Sequence, residues 1–266
     1  MRAVLAFLVA TFLSSAGAQA QEQPDESSTG VLILGDSNAE GPFGGTLYDG
    51  LRTLRDPRSG EWLHVAIFAK CGAGANDWTS REYANIDCGA WACDAGRPIA
   101  QCHHFHGGEI PPLPQLYRQL HARRSVTIIA LGLNMVKGNR ARKLADAETL
   151  IDAVQAEGSG CIWIGPPQAG DGFVSVARYD SFVSDLRATV RAKGCRYISS
   201  ADKTDRSDLG AHSADDHYDR PAAEAWARRV LAELQDRDDA ASLANVLAEG
   251  GSASSSGRAS SATTDR

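Results

Sequence analysis

Along this chain, short apolar runs alternate with longer segments whose apolar residues recur every three or four positions. The runs cover residues 31–34, 63–68, 126–131, 161–164 and 195–198. They are short, nearly continuous and rich in Val and Ile, as strands covered on both faces are. Between them, Leu144, Ala147, Ile151 and Val154 fall at helical spacing. So do Val183, Leu186 and Val190, and later Trp226, Val230 and Leu234. The last of these segments opens with Asp219, a good capping residue, and carries Pro221 in its first turn. Such alternation predicts an α/β domain, an open parallel sheet with helices on both faces. Ligands of these sheets gather beyond the carboxyl ends of the strands.

The flanks read differently. Arg2, the apolar stretch 4–13 and Ala18-Gln19-Ala20 have the layout of a secretory signal peptide, expected over 1–20. The apolar stretch is too short to span a bilayer. A polar leader follows over 21–29. Residues 237–266 are dominated by Ala, Ser, Gly and Thr and are expected to form a low-complexity, disordered tail. The folded domain is therefore expected over 30–236. No internal repeat is visible, and no later segment is long enough to be transmembrane.

Composition adds limits. The chain has 266 residues, 43% of them hydrophobic, which suits one domain with a substantial core. A formal net charge of -6 gives no basis for a nucleic-acid partner or for adhesion to anionic membranes. Export makes the six cysteines, Cys71, Cys88, Cys93, Cys102, Cys161 and Cys195, candidates for disulfides. The stretch Cys102-His103-His104-Phe105-His106 offers zinc ligands as an alternative. It lacks a paired C-x2-C framework, so solvated loop histidines are the preferred reading.

Residues with chemical potential follow the predicted strands. Gly35-Asp36-Ser37 follows the first, Lys70 to Asp77 the second, and Gly132-Leu133-Asn134 the third. Gly165-Pro166-Pro167 after the fourth reads as a rigid loop near the site. Asp215-Asp216-His217-Tyr218-Asp219 precedes the last helix. Taken singly, a Gly-Asp-Ser is a turn, Asn134 a strand-end cap and His217 a surface histidine. Gathered at one sheet edge, they supply the parts of acyl transfer: a hydroxyl, a base for its proton, and donors for an oxyanion. His212 competes with His217 as the base.

These blocks, in this order, resemble the SGNH hydrolases, also called GDSL-like esterases, over most of residues 30–236. The resemblance implies a flavodoxin-like three-layer sandwich with a five-stranded parallel sheet of order 2-1-3-4-5. It also implies ester hydrolysis with no metal or other cofactor. Ser37 would match the nucleophile, His217 the base and Asn134 an oxyanion donor beside the Ser37 amide. In the second block the family glycine is Gly74 or Gly72, with Gly74 preferred from its distance to the strand end. The family acid stands three residues before the histidine, where this chain has Ala214. Asp215 is the preferred substitute and Asp216 the reserve; Asp208 is a weaker option.

The expected function is that of an exported serine esterase, periplasmic or secreted, removing small acyl groups such as acetate from a carbohydrate. A lipase, arylesterase or thioesterase with the same site is the first alternative. A non-catalytic glycan-binding module on this scaffold is the second, kept open by Ala214. The partner is accordingly a small-molecule or polysaccharide ester. Three disulfides are expected. Cys161 and Cys195 open neighbouring strands and form one pair, and the other four cysteines staple the 71–102 region. Trp78, Tyr83, Trp91 and Phe105 lie in a long connection over 75–111, where they either stack on sugar rings or pack a local core. The pairs Arg123-Arg124 and Arg228-Arg229 read as solvated helix ends.

Overall fold

A computed structural model describes residues 25–79, 90–93, 102–105, 111–209, 217–236, 238–239 and 242–253. The strands are β1 (Asp25–Gly35), β2 (His64–Lys70), β3 (Ala90–Cys93), β4 (His103–Phe105), β5 (Ala122–Ala130), β6 (Gly160–Ile164) and β7 (Arg196–Ile198). The helices are α1 (Ser37–Glu40), α2 (Pro42–Arg52), α3 (Asn76–Thr79), α4 (Leu113–Gln119), α5 (Arg140–Ala156), α6 (Val176–Ala192), α7 (Arg220–Gln235) and α8 (Leu243–Ala253). One mainly parallel sheet has the order β4-β3-β2-β1-β5-β6-β7. Its parallel part, β2-β1-β5-β6-β7, holds the apolar runs and has the expected 2-1-3-4-5 order.

The five-stranded expectation needs correction at one edge. β3 pairs antiparallel to β2, and β4 antiparallel to β3. Both come from the cysteine-rich connection and are too short to leave a two-residue period in the sequence. Cys93 and Cys102 tie them together by a disulfide, with Cα atoms 4.5 Å apart. That bond engages the Cys102 sulfur on which the zinc alternative depended.

Because side chains alternate along a strand, β1 feeds two cores. Val31 and Ile33 join α2, α7 and α8 on one face. Leu32 and Leu34 join α4, α5 and α6 on the other. The sequence reading did not separate α2, although Phe43, Leu47, Tyr48 and Leu51 lie on one helical face. Three weak helix formers, Gly44, Gly45 and Gly50, obscure the pattern. Two of them sit at close contacts: a Cβ on Gly44 would lie 1.8 Å from the Ala39 backbone carbonyl oxygen. A Cβ on Gly50 would lie 2.3 Å from Leu231 Cδ1 of α7. The close approach lets Phe43 stack on Trp226 with ring centroids 3.6 Å apart.

The boundary drawn at residue 236 also falls short. α8 lies within the expected tail and buries Leu243, Val246 and Leu247 in the first core. Low-complexity neighbours hid three apolar residues at helical spacing. Cys161 and Cys195 form the expected disulfide, Cα atoms 4.8 Å apart, across β6 and the start of β7. Cys71 is also disulfide-bonded, while Cys88 lies outside the described residues. Among those residues, no helix is long and apolar enough to cross a membrane.

Arg123 and Arg124 are not helix ends; they lie in β5. Arg124 pairs at 3.0 Å with Asp56, a carboxylate only 1% exposed. The Thr29 hydroxyl and the Arg58 backbone N–H also donate to Asp56. Burial alone would raise the Asp56 pKa, but the Thr29, Arg58 and Arg124 contacts outweigh it and hold the carboxyl below its ordinary value. A depressed folded-state pKa stabilises the fold fully above the unfolded value of about 4 and loses that contribution as pH falls through the folded value. Asp56→Ala should cost about 2–3 kcal/mol near neutral pH, reduced from a fully buried pair because Arg124 stays partly solvated. Urea unfolding from pH 7 to 2 tests this. The difference between wild type and variant should shrink below roughly pH 4, and an equally wide gap at pH 2 would refute the account.

Candidate active site

Ser37 stands at the first position of α1, directly beyond the carboxyl end of β1. Asp36, 3% exposed, caps the helix by accepting the Asn38 N–H at 3.0 Å. The cap fixes the short turn and leaves the Ser37 N–H among the unpaired donors of a helix start. Gly35 of β1 pairs with Ala69 of β2 and Ala130 of β5. The loops leaving those two strands therefore flank Ser37.

His217 arrives from far along the chain, and its Nε2 lies 2.9 Å from Ser37 Oγ. Its C-terminal side is firmly held. Tyr218 forms an antiparallel bridge with Leu209. The Tyr218 hydroxyl donates to the Gln168 carbonyl at 2.7 Å. Asp219 caps α7 by accepting the Ala222 N–H at 3.0 Å. Burial pushes the Tyr218 phenol up to about 12, so it remains a donor at neutral pH. With the imidazole proton on Nδ1, Nε2 is placed to accept the serine proton. Asp215, Asp216, Ala214 and His212 lie outside the described residues. Asp208 belongs to a single 3-10 turn, Arg206–Asp208.

The second block turns sharply after β2. Ala73 N–H donates to Lys70 O at 3.1 Å. Gly72 takes φ +72°, a left-handed conformation that suits a residue without Cβ. Gly74 begins α3. Its carbonyl accepts the Asp77 N–H at 3.2 Å, and its N–H donates to Asp77 Oδ2 at 2.7 Å. The turn is thus closed by a backbone bond and by the Asp77 carboxylate, which reaches back to the Gly74 N–H. The Gly74 amide, expected to face an oxyanion, is thus directed at Asp77. Asn134, in the 3-10 turn Leu133–Met135 after β5, donates from Nδ2 to Ala73 O at 3.3 Å. The structure therefore brings the second and third blocks together, as it does the first and last.

Sequence reasoning gave no role to two supporting residues, Lys70 and Gln168. Lys70, at the end of an apolar run, is only 3% exposed and donates from Nζ to Asp77 O at 3.3 Å. Burial lowers its pKa, with the Asp77 charge opposing. Gln168 joins loops by donating to Ala201 O and Thr204 O while its carbonyl receives Tyr218. A cationic residue closing an apolar strand was the available signal for Lys70; Gln168 left none. Trp78 is buried in the second core, which favours packing over sugar stacking for that residue. Trp91 and Phe105 lie in β3 and β4, and Tyr83 lies outside the described residues. A narrow recess beside the Asp36–Asn38 segment is walled by Phe43, Pro166, Pro167 and Trp226.

No family model matches the sequence, and no curated protein matches it. Solved structures that are similar include the psychrotrophic esterase EstA from Pseudoalteromonas sp., 16% identical over 76% of this chain and 93% of that chain, with a TM-score of 0.47. A GDSL-like lipase from Bacteroides thetaiotaomicron is 12% identical over 79% of this chain and 91% of its own, with a TM-score of 0.46. An acetyl xylan esterase is 11% identical over 76% and 98%, with a TM-score of 0.49. At these identities the likeness concerns the path of the chain.

Proposed function

We propose that this chain is an exported serine esterase of the SGNH type. The carrying observation is His217 Nε2 at 2.9 Å from Ser37 Oγ, at the carboxyl edge of a parallel sheet. Ser37 Oγ attacks the ester carbonyl carbon while His217 takes its proton. A bond forms between Oγ and the acyl carbon, and the carbonyl oxygen becomes an oxyanion. The Ser37 N–H and an Asn134 amide hydrogen stabilise it. The intermediate collapses, the ester C–O bond breaks, and His217 returns its proton to the departing alcohol. Water then attacks the acyl-enzyme by the same route, releasing acid and serine. Asp215, with Asp216 in reserve, orients His217.

The substrate we propose is a small acyl group, such as acetate, on a carbohydrate. The ester chain-length series tests the acyl side, since the small recess walled by Phe43, Pro166, Pro167 and Trp226 is lined by Asp36 and Asn38 and not by Ser37 or His217. With p-nitrophenyl esters, kcat/KM should fall by about tenfold or more from acetate to butyrate, as expected when extra methylenes meet a fixed wall. Acetate release from a panel of O-acetylated glycans identifies the alcohol side. Rates that rise with chain length would favour a lipase. Binding of glycans without any turnover would favour the non-catalytic module.

A further inference from the structure

The Ala73–Gly74 peptide is held at both ends. Its carbonyl oxygen accepts from Asn134 Nδ2 at 3.3 Å, and its N–H donates to Asp77 Oδ2 at 2.7 Å. The bond is trans, so these groups point in opposite directions. Asp77 therefore determines which way the Ala73 carbonyl faces. Asp77 is itself placed by the start of α3 and by Lys70, whose Nζ binds its backbone carbonyl.

A carboxamide has two donor hydrogens on nitrogen and an acceptor oxygen, and a half-turn exchanges the two ends. The Ala73 carbonyl accepts one Nδ2 hydrogen and so fixes the nitrogen end toward the second block. The second hydrogen is then left for an oxyanion. Without Asp77, the peptide before a glycine can rotate and withdraw the carbonyl. Asn134 would then be free to present its oxygen, which repels an oxyanion.

We propose that Asp77 is a positioning residue for ester hydrolysis, acting through the Ala73–Gly74 peptide to orient Asn134. The inference rests on the esterase reading above. It also makes the second block a support for Asn134 rather than a donor from Gly74.

Steady-state kinetics on p-nitrophenyl acetate test it. Asp77→Ala should lower kcat by about 10- to 100-fold, less than the 10²- to 10³-fold typical of deleting an oxyanion donor outright. KM should stay within about twofold, because the lost interaction belongs to the transition state. Asp77→Asn keeps an acceptor for the Gly74 N–H and should restore most of the rate. In an Asn134→Ala background, Asp77→Ala should have little further effect, since both act through one group. Asp77→Ser has too short a side chain to reach the Gly74 amide and should fall like the alanine variant, which covers the case that the latter does not fold. Wild-type kcat in Asp77→Ala or Asp77→Ser, or losses that multiply with Asn134→Ala, would overturn the proposal. A raised kcat would do so too, because it would make the released Gly74 amide the donor. Ser37-dependent wild-type turnover beside an unaffected Asp77 variant removes this inference alone. Absence of wild-type turnover removes the esterase reading and this inference with it.

Discussion

Replacing Ser37 by alanine should lower ester turnover by roughly 10⁴- to 10⁶-fold, the loss typical of a covalent nucleophile. The fold should be kept. The side chain is half-buried at a helix start, and the turn is fixed by the Asp36 carboxylate rather than by the serine hydroxyl. Alanine removes Oγ and leaves the cap and both cores untouched. A serine-directed phosphonate should label wild type once, at Ser37, and should not label the variant. Labelling at a different serine, or retained turnover in Ser37→Ala, would sink the assignment. The measurement also separates an esterase from a glycan-binding module, because a module would bind sugar equally well with either residue and react with neither probe.

The parallel sheet was legible because its strands are buried on both faces. Val31 to Leu34 and Ile162 to Ile164 have no solvent side, so they appear as unbroken apolar runs whatever packs on them. α5, α6 and α7 were legible for the opposite reason: each has one solvated face, which imposes the helical period. What escaped lacks either signature. β3 and β4 are only four and three residues long, joined by a disulfide and by ladder pairing. α2 spends its sequence on glycines at close contacts, Gly44 against the Ala39 backbone and Gly50 against Leu231 of α7.

In the site, Ser37, Asn134 and His217 were visible because each follows or precedes a recognisable element. The bond between Gly74 and Asp77 was not visible, since a glycine before a four-residue helix leaves no periodic trace. Arg124 misled for a related reason. Two adjacent arginines look solvated until a distant buried acid, Asp56, is placed beside one of them.

His217→Ala should match the serine variant within about tenfold, because nucleophile and base act as one unit and their losses do not multiply. The double variant Ser37→Ala/His217→Ala should be no slower than either alone. The orienting acid gives a finer test. The C-terminal side of His217 is fixed by the Tyr218 bridge and the Asp219 cap. Ala214 has no carboxylate, so Asp215 is the preferred partner and Asp216 the reserve, with Asp208 a weaker option. If Asp215 faces the ring, Asp215→Asn should lower turnover by about 10²- to 10⁴-fold through the wrong tautomer, while Asp216→Asn stays within about threefold of wild type. The reverse order moves the role to Asp216. Equal, small effects from both would mean that Asp208 or a backbone carbonyl orients His217. A large loss in His212→Ala with none in His217→Ala would replace the base altogether, and the 2.9 Å contact with Ser37 is the observation against that outcome.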